Sequence, residues 1–296
     1  ATDWMLRRFE FERRALASLE HPCIARLYDG GTTDDGCPYF VMELIRGETI
    51  DRYCERERLS IEARLRLFVQ VCRAVHYAHQ SLVVHCDLKP ANILIDGQGV
   101  PRLLDFGIAR FLEEDASATT GPGATRTIAR VLTPEYASPE QLAGGPVTTS
   151  QDVYSLGVVL YELLAGCRPF ESDSRSLTEW ERLVREQTPP RPSVRRIGAS
   201  LSGDLDRIVL MALRKEPERR YASAQEFADD IERHLAGQPV RARPNSLGYL
   251  AAKFVGRNRV AVGAAVIVLF ALLGGLIAAR RSGRIAEAEA EHARME

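Results

Sequence analysis

The stretch "VVHCDLKPANILIDGQGVPRLLDFGIAR", residues 83–110, constrains this chain more than any other. It puts Asp87, Lys89 and Asn92 into one short loop, and a second carboxylate, Asp105, opens Asp105-Phe106-Gly107. Short β-prone runs at 93–95 and 102–104 lie between Asn92 and Asp105. A hairpin of that length brings Asn92 and Asp105 to one place. Their oxygens are the donors that a hard divalent cation takes. Phosphoryl transfer asks a protein for positioning and charge stabilisation more than for covalent chemistry. It needs an acceptor for the hydroxyl proton, oxygen ligands for metal ions and a cation near the moving phosphoryl group. Asp87, Asn92 with Asp105, and Lys89 are of those types.

Around this stretch the pattern is mixed. Residues 3–19 carry Trp4, Leu6, Phe9, Leu16 and Leu19 at roughly helical spacing and predict a helix. "HPCIARLYDGG" breaks it and predicts a strand near 24–28, and "PYFVMELI" predicts another. Ser60 opens a long helical pattern through Gln80. Residues 113–130, rich in Ala, Thr and Gly without periodicity, predict a mobile loop. From Ser150 to about Leu235 the pattern is helical, broken at "PPRPS". "GQPVRARPNS" is a linker by composition. Residues 260–279 then run without a charge, flanked by Arg257 and Arg259 before and Arg280 and Arg281 after. That length matches the hydrocarbon core of a bilayer, about 30 Å, so a transmembrane helix is expected rather than a buried core helix.

The formal net charge of −1 offers no global field for a nucleic acid. The six cysteines include no C-x-x-C pair and suit reduced thiols in a cytosol. His76, His79, His85 and Cys86 lack the recurring paired spacing of a structural zinc site. Only three of the 39 basic residues are lysines, Lys89, Lys215 and Lys253.

"HCDLKPAN", "DFG" and "SPE" resemble the H-R-D-L-K-x-x-N, D-F-G and A-P-E signatures of protein kinases, in that family's order. "DVYSLGVVLYELLAG" and "RKEPERRY" extend the resemblance, which covers about residues 4 to 235. It implies an α+β, protein-kinase-like fold with a mostly helical large lobe and an incomplete small lobe. It implies ATP and Mg2+ as cofactors and protein substrates as partners. By the same resemblance, Asp87 is the catalytic base or hydroxyl-orienting carboxylate and Lys89 neutralises the γ-phosphate. Asn92 and Asp105 bind magnesium. Met42 is the gatekeeper, the Glu43 carbonyl and Ile45 N–H meet the adenine edge, and Leu94 lies under the ring. Glu12 is the ion-pairing glutamate of the family's C-helix. Leu16, Leu27, His85 and Phe106 match the stacked apolar residues that link the lobes. Thr133 reaches toward the base and lysine, Glu140 pairs with Arg220, and Asp152 braces the loop. A lysine two residues after the base, together with "TPEYASPE", resembles serine/threonine kinases.

The sequence departs from the family in two places. Cys86 stands where an arginine that receives an activation-loop phosphate is expected, which implies looser dependence on loop phosphorylation. The family's Gly-rich loop and β3 lysine have no counterpart before Glu12, since the first lysine is Lys89. The expectation is an N-terminally truncated, bacterial receptor-like serine/threonine kinase. Its parts are a kinase domain over 1–236, a juxtamembrane linker over 237–259, a single transmembrane helix over 260–279, and the start of a helical extracytoplasmic region over 280–296. The kinase domain is expected on the cytoplasmic side of the inner membrane. The alternatives are a non-catalytic pseudokinase scaffold, which an upstream G-x-G-x-x-G and strand lysine would oppose, and a small-molecule kinase, which "TPEYASPEQ" opposes.

Overall fold

The computed structural model describes residues 16–33, 38–106, 133–172, 176–195, 203–244 and 246–292, with side chains described up to Gly275 in the last helix. Of the first expected helix, residues 16–19 fall in this range, and of these only Leu16 and Ala17 are helical. The expected loop at 113–130 and Glu12 lie outside it.

Strands β1 (Leu27–Thr32) and β2 (Pro38–Met42) pair antiparallel, with Gly31 opposite Tyr39 and Leu27 opposite Met42. The first strand thus begins later than the sequence predicts. Residues 23–25 bond instead to a strand further on: Leu103 N–H donates to the Cys23 carbonyl (2.8 Å) and Ala25 N–H to the Leu103 carbonyl (2.9 Å). Strand β3 (Gly47–Thr49) leads into helix α1 (Ile50–Arg56). Helix α2 (Ile61–Gln80) starts at Ser60, whose side chain accepts from Ala63 N–H (3.2 Å), which satisfies one orphan donor of the first turn. Its apolar residues Leu65, Phe68, Cys72 and Val75 recur at helical spacing, and all are buried.

Strands β4 (Ile93–Asp96) and β5 (Pro101–Leu103) complete a three-stranded antiparallel sheet ordered β3-β4-β5. Ile93 and Ile95 enter the core while Leu94 and Asp96 face the other way and are half-buried, as a period of two requires. Asp96 Oδ1 accepts from Gln98 N–H (2.9 Å) and Val100 N–H (3.0 Å) and closes the hairpin. This hairpin brings the loop before β4 beside the residues after β5.

The remaining elements are helical. Helices α3 (Pro139–Leu142), α4 (Thr149–Ala165), α5 (Leu177–Glu186), α6 (Pro192–Arg195), α7 (Asp204–Ala212) and α8 (Ala224–Leu235) follow in turn. Helix α4 is buried on every side, as its nearly unbroken apolar sequence requires. A Cβ at Gly157 would sit 2.9 Å from Ala212 Cβ, so only glycine lets α7 approach this closely. Gly166, at φ 76°, ends α4 in the left-handed conformation. Across α2 and α8, Phe68 meets Phe227 edge to face with ring centroids 5.6 Å apart.

Two buried arginines tie these parts together. Arg64 donates to the carbonyls of Leu59 (3.1 Å), Leu163 (2.7 Å) and Cys54 (3.2 Å), joining α1, α2 and α4. Arg220 is a fork on Glu140, at 2.6 and 2.8 Å, and also donates to the carbonyls of Arg214 (2.7 Å), Ser150 (3.0 Å) and Lys215 (2.9 Å). Burial would raise the Glu140 carboxyl, but the hydrogen bonds and charge of Arg220 outweigh it and hold the group below the ordinary glutamate value.

The expected linker is largely ordered. Val240 is buried, and the Asp230 carboxylate accepts from Arg241 N–H (2.6 Å), Ala242 N–H (2.9 Å) and the Tyr221 hydroxyl (2.8 Å). A buried carboxylate needs donors, and the backbone of 241–242 supplies them. The chain divides into two compact units, Ala1–Ala236 with Val240–Arg243, and Gly237–Pro239 with Pro244–Glu296. The second unit contains helix α9 (Leu247–Arg257), capped by Ser246, and helix α10 (Arg259–His292). Among the described residues no single helix is long and apolar enough to cross a membrane. The pair Leu247–Arg257 and Arg259–Gly275, bent by 98°, passes that test together by length and composition.

Removing one partner of the Arg220–Glu140 pair leaves an uncompensated buried charge. Glu140→Ala is therefore expected to cost about 3–5 kcal/mol, measured by urea unfolding at neutral pH. Because Glu140 titrates below its unfolded value of about 4.3, this advantage of the parent chain is full above that pH. It shrinks as the pH falls through the depressed value. A pH-independent difference would contradict the assignment.

Candidate active site

The loop between α2 and β4 is shaped by one carboxylate. Asp152, on the first turn of α4, is wholly buried. Its Oδ2 accepts from His79 Nε2 (2.7 Å) and His85 N–H (2.8 Å), and its Oδ1 from Cys86 N–H (2.9 Å). These bonds hold Cys86 at φ 67°, a left-handed conformation costly for a residue with a Cβ. Gln141 Nε2 donates to the Cys86 carbonyl (2.7 Å) and fixes the other side of the same residue. The chain turns sharply there, and Asp87 projects away from the core.

His85 is fully buried. Burial lowers its pKa, against the pull of Asp152 and Asp87, so the ring is neutral. One tautomer serves both of its contacts. Nε2–H donates to the Leu104 carbonyl (2.9 Å), and Nδ1 accepts from Asp87 N–H (3.4 Å). His85 also stacks against Phe106, with centroids 4.6 Å apart. The loop is thereby tied to the segment that carries Asp105.

Four side chains converge at the tip. Lys89 Nζ lies 2.6 Å from Asp87 Oδ2 and donates to the Thr133 hydroxyl (2.7 Å). That hydroxyl donates to Asp87 Oδ1 (3.2 Å). Asn92 Nδ2 donates to the Asp87 carbonyl (2.8 Å) and to Asp87 Oδ2 (3.0 Å). A hydroxyl thus sits between a carboxylate and an ammonium, and an amide holds the carboxylate in place.

Asp105 is exposed and adopts φ 51°. Leu104 N–H donates to the Asn92 carbonyl (2.9 Å), which places Asp105 one residue beyond a direct tie to Asn92. Among the described residues nothing neutralises the Asp105 carboxylate, and the Asn92 amide oxygen has no donor. Two hard oxygens without partners at neighbouring backbone positions fit a small divalent cation.

Asp105 also borders a narrow cleft lined by Leu16, Leu27, Met42, Leu103 and Phe106 among others. Met42 is part of the cleft wall. Leu16, Leu27 and Phe106 line the same cleft, and His85 touches it through Phe106. Glu43, Ile45 and Leu94 do not line it. The Glu43 carboxylate is taken by Arg102 and by Arg26 N–H (3.2 Å), so this side chain is structural. Among the described residues the Glu43 carbonyl and the Ile45 N–H make no hydrogen bond, which leaves the backbone edge between β2 and β3 open. Leu94 is half-buried on the face of β4 away from Ile93 and Ile95. Glu12 lies outside the described residues.

Sequence reasoning did not single out Gln141, Arg102 or the part played by His79. His79 reads as one of several histidines near a cysteine, and only the fold shows that it serves Asp152. Asp152→Asn keeps the shape but turns one acceptor into a donor facing buried donors. A stability loss of about 1–3 kcal/mol is expected, read by thermal and denaturant unfolding. An unchanged midpoint would show that the loop does not depend on this carboxylate.

Known proteins resemble this chain over most of its length. Residues 2–231 match the protein kinase domain family. Serine/threonine-protein kinase PknB of Mycobacterium tuberculosis is 40% identical over 239 residues, covering 79% of this chain and 37% of that protein. A probable serine/threonine-protein kinase of Streptomyces coelicolor is 39% identical over 249 residues, 83% of this chain and 36% of its own length. PknB of Mycolicibacterium smegmatis is 37% identical over 235 residues, with 78% and 36% covered. The chain spans little more than a third of the curated relatives it matches.

Proposed function

The chain belongs to the protein kinase domain family, and from that premise we propose that it carries the catalytic loop of a bacterial serine/threonine kinase. The kinase would transfer the γ-phosphate of ATP to protein Ser or Thr hydroxyls. The observation that carries this is the Thr133 hydroxyl, held between Asp87 Oδ1 and Lys89 Nζ at 3.2 and 2.7 Å. A substrate hydroxyl placed there would meet the same two groups. Asp87 would orient it and accept its proton as the new O–P bond forms. Lys89 would balance charge on the transferred group, and Asn92 would keep Asp87 from turning away. Asn92 and Asp105 would hold magnesium, which, when bound, supplies charge neutralisation on the phosphates. The backbone of Glu43 and Ile45 would receive the adenine edge, with Met42 as the gatekeeper and Leu94 under the ring. Glu12 would pair with a strand lysine. A pseudokinase scaffold is disfavoured because base, lysine and both metal ligands are all present in this sequence.

We further propose that α10 crosses a bacterial inner membrane once, with the kinase unit on the cytoplasmic side. The uncharged run 260–279 and its arginine flanks support this. The flanking charges barely decide orientation; ATP and magnesium, both cytoplasmic, decide it.

The test uses the full reading frame that contains these residues. Asp87→Asn should lower kcat for a protein substrate by orders of magnitude while leaving the unfolding temperature unchanged. Activity at the parent level would refute the role of Asp87. A second experiment titrates a fluorescent ATP analogue with and without magnesium. Asp105→Ala should abolish the magnesium-dependent gain in affinity and leave the residual binding intact. A gain that survives would remove Asp105 from the metal site.

A further inference from the structure

Helix α9 is built the wrong way round for a helix of a soluble protein. Leu247, Leu250, Ala251 and Phe254 share one face at spacings of three and four. Most of that apolar face is open: Leu247 is 87% and Phe254 56% exposed, Ala251 is exposed, and Leu250 is half-buried. Tyr249, on the opposite face, is buried, and Lys253 lies over its ring at 5.8 Å. Lys253 and Arg257, four residues apart, flank the apolar face on one side.

The charge around the helix has one sign. Between Glu232 and Glu287 the sequence holds nine Lys or Arg and no Asp or Glu. Two of the nine pair with acidic residues earlier in the chain, Arg241 with Glu226 (3.2 Å) and Arg243 with Asp204 (3.4 Å). A stretch of this net positive charge that also exposes apolar side chains matches the surface of an anionic bilayer, with its acyl boundary below and phosphate above. The geometry of the break also fits. At Asn258 the helix ends, Asn258 N–H donating to the Phe254 carbonyl (2.9 Å), and the next helix leaves at 98°. A helix nearly perpendicular to a spanning one lies in the membrane plane.

We propose that α9 is an interfacial anchor that lies on the cytoplasmic leaflet, with anionic phospholipid as its partner. Leu247, Leu250 and Phe254 dip into the acyl boundary while Lys253 and Arg257 extend to the phosphates. The anchor would hold the kinase unit at the membrane surface. The inference rests on the reading that α10 spans the bilayer, and it excludes the other geometry of such a pair, one broken span in which α9 is itself inserted.

The experiment places 4-fluorophenylalanine singly at Phe254 or Phe270 in the full chain, in bilayer discs containing one-third phosphatidylglycerol. Fluorine NMR reads contrast between dissolved oxygen, which concentrates at the bilayer centre, and a water-soluble nickel chelate. Phe270 stands near the middle of the uncharged run and is the internal reference. It should broaden with oxygen and resist nickel, and Phe254 should respond moderately to both. In wholly zwitterionic discs, or with Lys253→Glu and Arg257→Glu together, nickel broadening at Phe254 should rise severalfold while Phe270 is unmoved. A Phe254 signal as oxygen-sensitive as Phe270 would overturn the anchor in favour of a broken span. A Phe254 signal fully open to nickel in anionic discs would overturn membrane contact by α9 altogether. If Phe270 itself is open to nickel, the spanning reading fails, and the anchor fails with it.

Discussion

The candidate site depends on a buried carboxylate that takes no part in the chemistry. Asp152 accepts from one side chain and two consecutive backbone N–H groups of the loop that carries Asp87. An anion with no exposed surface is tolerated only when its lone pairs are used. Satisfying it fixes the backbone of His85 and Cys86 and forces Cys86 into a left-handed turn. Asp87 is thereby aimed outward, toward Lys89, Asn92 and Thr133. The strain at Cys86 and the enclosed anion offset each other only in this conformation, so the loop has a defined shape before any ligand arrives.

The same device recurs elsewhere in the unit. Arg64 satisfies three carbonyls at the ends of separate elements, and Arg220 satisfies Glu140 together with three carbonyls. Asp230 gathers two backbone N–H groups from beyond α8. In each case a buried charge meets the loose backbone ends that helices and turns leave behind. Such groups add little net stability against a well-packed apolar alternative. What they supply here is position: they determine where loops go between helices whose own packing is non-directional.

How much of this could be read from the residues alone depends on distance along the chain. The pattern of α2, the hairpin from Ile93 to Leu103 and the cluster of Asp87, Lys89, Asn92 and Asp105 are local, and periodicity and motif spacing reveal them. The start of β1 was misplaced because residues 23–25 bond to β5, some eighty positions away, a pairing no local pattern records. The stretch "GQPVRARPNS" reads as a linker because proline, glycine and arginine dominate it. Its attachment to Asp230 is made by backbone N–H groups, which every residue has. His79 and Gln141 carry no distinguishing spacing, and their roles follow only from what the fold sets beside them. Leu94 is legible as a half-buried strand residue, but which surface it lines depends on elements beyond its own sheet.

The central claim is that this loop serves phosphoryl transfer to an alcohol side chain. It is tested most directly by identifying the phosphorylated amino acid. The full reading frame is incubated with γ-labelled ATP, magnesium and a mixed protein substrate, and the labelled protein is acid-hydrolysed and its phosphoamino acids separated. The account predicts label in phosphoserine and phosphothreonine, none in phosphotyrosine, and none at all when magnesium is removed. Label confined to phosphotyrosine, label that persists without a divalent cation, or an unlabelled protein that still binds its partners would contradict it.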